Sequence, residues 1–308
     1  MAKIRIHSEN AAYQAIYALK TNRTKRLRQR AFFVEGVRNI NAAARYLWRF
    51  EAFICDGAAE LSNWACDMIK SHAEAGVYEL APGLMQKLSG KTDASELAAI
   101  VRMRDDGNSA TAAAPADGAH GCPAPNSAVP VGSPADAPVF ILVDRPSGKG
   151  NLGTVMRSCD AFGVKMLYGT GHSVDFYDPE VIAASMGSFF AAPFRALDSS
   201  REVDDMIGGL RRDYPDLMVV GTSARGARTV YDMDLSGPLL FMIGNETDGL
   251  SWRLKNIADA MAVIPMDPAA YASSLNISCA ATALLYESSR QKAQKHITLK
   301  PAAYHFEQ

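Results

Sequence analysis

Residues 264–291, IPMDPAAYASSLNISCAATALLYESSRQ, decide how this chain is read. The stretch opens where a hydrophobic strand ends, with Met261, Val263 and Ile264. Pro265 stops that strand, because proline has no N–H to give a central ladder. A loop of small residues follows, and Ser274 or Asn276 then supplies a side chain of the type that caps a helix. From Leu275 onward, Leu275, Cys279, Thr282 and Tyr286 fall near one face, while Ile277, Leu284 and Leu285 widen it. Ser278, Ala280, Ala281 and Ala283 keep the helix slim enough for another backbone to approach. Strand, polar turn and buried helix make a βα unit whose turn can hold a small molecule against backbone groups.

Upstream, Val139 to Val143 is continuously apolar, the pattern of a parallel strand buried on both faces. Further strands are expected at 165–168, 193–197, 217–222, 239–243 and 260–264, with helices at 151–162, 179–186 and 201–212. This alternation predicts an α/β domain with a mostly parallel sheet. Ligands of such sheets sit beyond the carboxyl ends of the strands, so loops 144–151, 222–228, 244–250 and 265–275 converge on one candidate pocket.

The first hundred residues repeat the rhythm on a smaller scale. A helix is expected at 10–30, then strand 31–34, helix 39–49, strand 52–55, helix 60–75, strand 77–80, a short helix at 82–88 and strand 98–103. That is a compact α/β module. Residues 107–137 are Ala, Pro, Gly and Ser with hardly a large apolar side chain, too little to offset the entropy of ordering, and read as a disordered linker. The expected domains are therefore 1–106, the linker 107–137, and 138–308.

The net charge of −1 hides an asymmetry. The first fifty residues hold eleven Lys or Arg against Glu9 and Glu35, so they carry +9 and the remainder −10. A basic end on an acidic chain is the footprint of polyanion binding, with a merely solvated helix face as the alternative. Arg23, Lys25, Arg26, Arg28, Arg30 and Arg38 are the candidate polyanion contacts. No apolar run reaches the roughly 18–20 residues of a membrane span. The N-terminus has no apolar signal core. Five scattered cysteines form neither a disulfide framework nor a CxxC metal pair, which points to a reducing cytoplasm and no metal.

Gly148, Gly150 and Gly153 match a GxGxxG pattern between a strand and a helix. A dinucleotide site also needs an acid after the next strand to hold a ribose, and here the first acid beyond Tyr168 is Asp175. A nicotinamide enzyme is therefore disfavoured. More distinctive are Asn151 and Arg157 six apart in one helix, and the glycine-flanked polar turn Gly244-Asn-Glu-Thr-Asp-Gly249 directly after a strand. Gly244 is expected to let a ligand approach the backbone closely, and Glu246 to accept protons or to cap a helix.

Three stretches together resemble the three motifs of the SpoU/TrmH family of SPOUT RNA methyltransferases. They are Asn151-Leu-Gly153 with Arg157 and Gly163, Ile243-Gly-Asn-Glu246 with Gly249-Leu250, and Ile264-Pro-Met266 with Ser274-Leu-Asn276. Phe33-Val-Glu-Gly36 and its flanking arginines resemble the substrate-binding module, similar to ribosomal proteins that bind kinked RNA, that precedes this domain in many ribosomal-RNA members. The resemblance implies an α/β trefoil-knot (SPOUT) methyltransferase domain preceded by a small α/β RNA-binding domain, acting as a homodimer. S-adenosylmethionine would lie against Gly244, Ile264 and Leu275, with Thr222 lining the same pocket. The implied reaction is methyl transfer to a ribose 2′-hydroxyl, ribosomal RNA being favoured over transfer RNA. Arg157 would clamp a phosphate and the developing alkoxide, since a guanidinium does not deprotonate in a protein. Asn151, Glu246, Ser274 and Asn276 would orient Arg157 and the ribose. A non-catalytic RNA-binding or ribosome-assembly protein with a vestigial knot is the rival. Asp267-Pro268 stands where family members usually have glycine, and the gap from Met266 to Ser274 is longer than usual, so the loop at the cofactor pocket departs from the family pattern.

Overall fold

In a computed structural model describing residues 3–104, 137–171, 174–224 and 228–297, the chain divides into two compact units. One comprises Met1–Cys122 with Asp175–Ala191, the other Pro123–Val174 with Ala192–Gln308. The expected linker, Ala137 apart, lies outside the described residues. Among the described residues no helix is long and apolar enough to cross a membrane.

The first unit runs β1 (Lys3–Ile6), α1 (Ala11–Thr21), α2 (Arg23–Gln29), β2 (Ala31–Glu35), α3 (Val37–Arg45), β3 (Phe50–Asp56), α4 (Asn63–Ser71), β4 (Gly76–Leu80), α5 (Leu84–Ser89) and β5 (Leu97–Arg102). Its sheet has the order β1-β4-β3-β5-β2, with β5 antiparallel to both neighbours. The single helix expected at 10–30 is two helices. The Asn22 side chain accepts the Lys25 N–H at 3.0 Å, so it caps α2 and ends α1 at the same residue. The four-residue β1 was too short and too exposed to show in the sequence pattern.

The other described elements are β6 (Val139–Asp144), α6 (Lys149–Ala161), β7 (Met166–Thr170), α7 (Pro179–Ser185), α8 (Ser188–Ala191), β8 (Phe194–Leu197), α9 (Ser200–Asp213), β9 (Met218–Thr222), β10 (Arg228–Thr229), β11 (Leu239–Ile243), α10 (Trp252–Ile257), β12 (Ala260–Val263) and α11 (Ile277–Ile297). All seven strands of the second unit are parallel, in the order β10-β12-β9-β11-β6-β7-β8. Its centre, β6 and β11, is fully buried, as the continuous apolar runs predict.

Helices α7 and α8 belong to the first unit. Phe32 and Trp48 there pack with Tyr177, Phe189 and Phe190 at ring-centroid distances of 5.1–6.4 Å. The Trp48 indole N–H donates to the Phe190 carbonyl. Arg26 joins this core. It is 2% exposed, paired with Asp175 at 2.8 Å and with Asp178 at 3.6 Å. It also donates to the carbonyls of Leu19 and Lys20. Its assignment as an RNA contact is therefore corrected: a guanidinium buried among two carboxylates and two carbonyls has no donors left for phosphate.

The expected face of α11 is corrected as well. Ile277, Ala281, Leu284 and Ser288 are buried, whereas Leu275 is 41% and Tyr286 61% exposed and Cys279 is exposed. With small residues on both sides, apolarity alone did not distinguish the packed face.

Candidate active site

The loops after β12, β9, β11 and β6, four adjacent parallel strands, open on the same edge of the sheet. Three of them line a cavity of about 640 Å³, within the roughly 300–1,000 Å³ typical of small-molecule sites. Thr222 lines it at the end of β9, residues 243–250 from the end of β11 onward, and Ile264, Met266, Ser274 and Leu275 after β12. The four residues expected to hold a cofactor thus share one cavity. Thr222 has its hydroxyl committed to the Met242 carbonyl at 3.1 Å.

The turn after β11 is built by its own side chains. Asn245 Oδ1 accepts the N–H groups of Thr247 and Asp248, and Asn245 N–H meets the Gly249 carbonyl. An added Cβ on Gly244 would lie 2.0 Å from the Gly249 carbonyl carbon and 2.0 Å from the Leu250 nitrogen. The expected reason for that glycine is therefore corrected. Its missing side chain makes room for the returning turn, not for a ligand.

Beside the cavity lies a polar network that joins all three motifs. Glu246 Oε1 accepts from Asn151 Nδ2 at 2.8 Å and from the Gly148 N–H at 3.3 Å. Its Oε2 accepts from the Ser147 hydroxyl at 2.8 Å and the Ser147 N–H at 3.4 Å. Asn151 Oδ1 accepts from Asn276 Nδ2 at 3.0 Å. Partial burial is the largest single influence on Glu246 and raises its pKa, yet the hydrogen bonds from Asn151 and Ser147 together outweigh it, so the carboxyl is held below its usual range. The glycine-rich loop before α6 thus turns its N–H groups onto the protein's own carboxylate.

Arg157 and Ser274 stand apart from this network. Arg157 is exposed on α6, outside the cavity lining, and its side chain makes no hydrogen bond or ion pair among the described residues. Ser274 lines the cavity with an exposed side chain. In the altered loop, Asp267 closes a turn by accepting the Ala269 N–H, and neither Asp267 nor Pro268 lines the cavity.

Two supporting residues went unnoticed in the sequence. Asp144, 3% exposed at the end of β6, accepts from the Thr170 hydroxyl and the Ser251 N–H, both at 2.8 Å, and so ties β7 and the start of α10 to the central strand. Arg145 follows in the left-handed conformation, φ 51°, and pairs with Asp248 at 3.6 Å. A lone acid ending an apolar strand is the only signal the sequence held for either.

The basic residues of the first unit fall into groups. Lys25, Arg28 and Arg38 are exposed and make no side-chain hydrogen bond or ion pair among the described residues. Arg23 is also exposed. Arg30, half-buried and left-handed at φ 54°, donates to the Arg104 carbonyl.

The SpoU rRNA Methylase family model matches residues 138–286, and the SpoU L30e-like domain model matches residues 10–99. The chain belongs to the SpoU family of RNA ribose 2′-O-methyltransferases, enzymes that draw their methyl group from S-adenosylmethionine. It is 37% identical over 298 residues, 96% of each chain, to the 23S rRNA (uridine(2479)-2′-O)-methyltransferase of Streptomyces viridochromogenes. The crystal structure of the SpoU methyltransferase AviRb from the same organism, in complex with the cofactor AdoMet, superposes with a TM-score of 0.77 at 36% identity, covering 92% of this chain and 98% of that one. A crystal structure described as an RNA 2′-O ribose methyltransferase matches with a TM-score of 0.69 at 28% identity, over 94% of this chain and all of that one.

Proposed function

We propose that this protein methylates a ribose 2′-hydroxyl of ribosomal RNA, and that its first unit selects the substrate. The observation that carries the reading is the single cavity lined by Gly244, Ile264 and Leu275 with the Glu246–Asn151–Asn276 network beside it. The cavity combines the backbone-rich loops that suit a nucleoside with the apolar Ile243, Leu250 and Ile264, which suit an uncharged thioether product. Bound S-adenosylmethionine supplies a methyl group already activated on a sulfonium, so the protein's task is alignment and stabilisation of developing charge. Arg157, whose guanidinium makes no hydrogen bond or ion pair among the described residues, clamps the phosphate and the alkoxide that forms as the ribose oxygen attacks. Asn151 and Ser274 orient the ribose.

Lys25, Arg28 and Arg38, with Arg23 and Arg30, provide the sequence-independent attraction to the RNA backbone. The extensive similarity to a 23S ribosomal RNA enzyme favours ribosomal over transfer RNA. The domains expected at 1–106 and 138–308 act as the substrate-selecting and methyl-transferring units, with residues 175–191 serving the first, and the second carries the trefoil threading of its family. The working form is a homodimer, for which the exposed Cys279 and Tyr286 of the last helix are a ready surface. Incubation with methyl-labelled S-adenosylmethionine and either purified ribosomal or transfer RNA tests the reading. Label in ribosomal RNA is expected. Label only in transfer RNA would overturn the substrate, and label in neither would favour the non-catalytic rival.

A further inference from the structure

The network beside the pocket has a direction, and that direction is set outside it. The Ser278 N–H, at the start of α11, is a backbone donor that cannot reverse. It meets Asn276 Oδ1 at 2.9 Å, and the Ser278 hydroxyl donates to the same oxygen at 2.6 Å. Asn276 must therefore turn its Nδ2 to Asn151, 3.0 Å away. Asn151 must receive that bond on Oδ1 and turn its own Nδ2 to Glu246, 2.8 Å away. The last member can only accept. A carboxylate has about four lone-pair sites, and Glu246 fills four with Asn151, Gly148 and both donors of Ser147.

We infer that Asn276 is the positioning residue that sets the polarity of this relay, and that Glu246 is its ionised, saturated terminus, holding the 147–151 loop and not receiving the ribose proton. The inference rests on the methyltransferase reading only for its last clause. The relay itself is a statement about four side chains and one backbone N–H. Its consequence is that the ribose proton leaves by a group outside the network. Among the described residues the second hydrogens of the two amides and the Arg157 guanidinium have no acceptor, which leaves them as donors suited to an oxyanion.

A polarity relay makes a prediction that simple packing does not. Asn276→Asp keeps the helix cap, since aspartate caps as well as asparagine, but presents an acceptor to Asn151. The Asn151 amide must flip, which sets its Oδ1 against Glu246 Oε1. Adding Glu246→Gln supplies an N–H to the flipped Asn151 Oδ1, at the cost of the longer 3.3 Å bond that the Gly148 N–H gives to the same position. Four full-length proteins are compared: the parent, Asn276→Asp, Glu246→Gln and the double variant. The Asn276→Asp chain should melt roughly 2–4 °C below the parent and turn over about three- to tenfold more slowly. The double variant should recover most of both losses. The Asn276→Asp chain should also gain activity relative to the parent as pH falls, because a proton on either carboxyl restores the missing donor.

Additive losses in the melting cycle would overturn the relay. Rescue of melting in chains that, parent included, transfer no methyl group to ribosomal RNA would uphold the relay and sink the methyltransferase reading instead. A Glu246→Gln variant that melts normally but has lost all transfer at saturating RNA would overturn the exclusion of Glu246 as proton acceptor.

Discussion

Replacing Gly244 by alanine tests the architecture of the pocket at its tightest point. The new Cβ would lie 2.0 Å from two backbone atoms of Gly249 and Leu250, where ordinary contact begins at 3.4 Å, so the turn must retreat by about 1.4 Å. Backbone on both sides offers no flexible side chain to yield. The retreat breaks the 3.3 Å bond from Asn245 N–H to the Gly249 carbonyl. It also draws Leu250, 2% exposed, away from the core it shares with Leu142, Met242 and Leu254. Overpacking and a lost backbone bond together cost on the order of 2–4 kcal/mol. For a unit of this size that lowers Tm by roughly 4–16 °C. Because residues 243–250 form one wall of the cavity, S-adenosylmethionine affinity should fall at least about tenfold. Thermal scans and calorimetric titration of the variant give both numbers. A Gly244→Ala chain that melts within about 2 °C of the parent and binds the cofactor equally well would show that the turn yields freely, and the stated reason for the glycine would be wrong.

Other outcomes follow from the same geometry. Arg157→Ala should abolish methyl transfer while leaving cofactor affinity nearly intact, since Arg157 lies outside the cavity lining and its side chain makes no hydrogen bond or ion pair among the described residues; equal loss of both in kinetics and calorimetry would make its role structural. Replacing Lys25, Arg28 and Arg38 together by alanine should weaken RNA binding and flatten its salt dependence by roughly two log units per log unit of salt, with melting unchanged; an unaltered slope in binding titrations would remove these residues from the RNA surface. Glu246 is held below its ordinary carboxyl pKa, so its hydrogen bonds stabilise the fold at neutral pH and fail as pH falls through that lowered value. Melting curves of the parent and Glu246→Gln should therefore converge on acidification, and a gap that widens would reverse the sign of the argument.

Where side chains face one environment, the sequence was legible. The continuous apolar runs of β6 and β11 marked central parallel strands, and the loops following them led to the pocket. Where two environments compete for one residue, it was not. Arg26 lies in the basic run Lys25 to Arg30, yet carboxylates 149 and 152 residues later claim it; charge density in sequence does not disclose a partner that distant. The α11 face was ambiguous because Ala281 and Ser288 pack as well as leucine when the neighbouring backbone is close, while Leu275 and Tyr286 remain exposed. Gly244 looked like ligand space for a similar reason. Only the returning path of Gly249 and Leu250 reveals what fills it.

The most direct measurement is to find where the methyl group goes. Ribosomal RNA labelled by the protein from S-adenosylmethionine is hydrolysed with alkali, and the labelled products are resolved by mass. A ribose 2′-O-methyl blocks attack on the neighbouring phosphate, so the label is expected in an alkali-resistant dinucleotide, lost in Arg157→Ala. Label in an ordinary mononucleotide would place the methyl on a base and contradict the assignment of this site to the ribose hydroxyl.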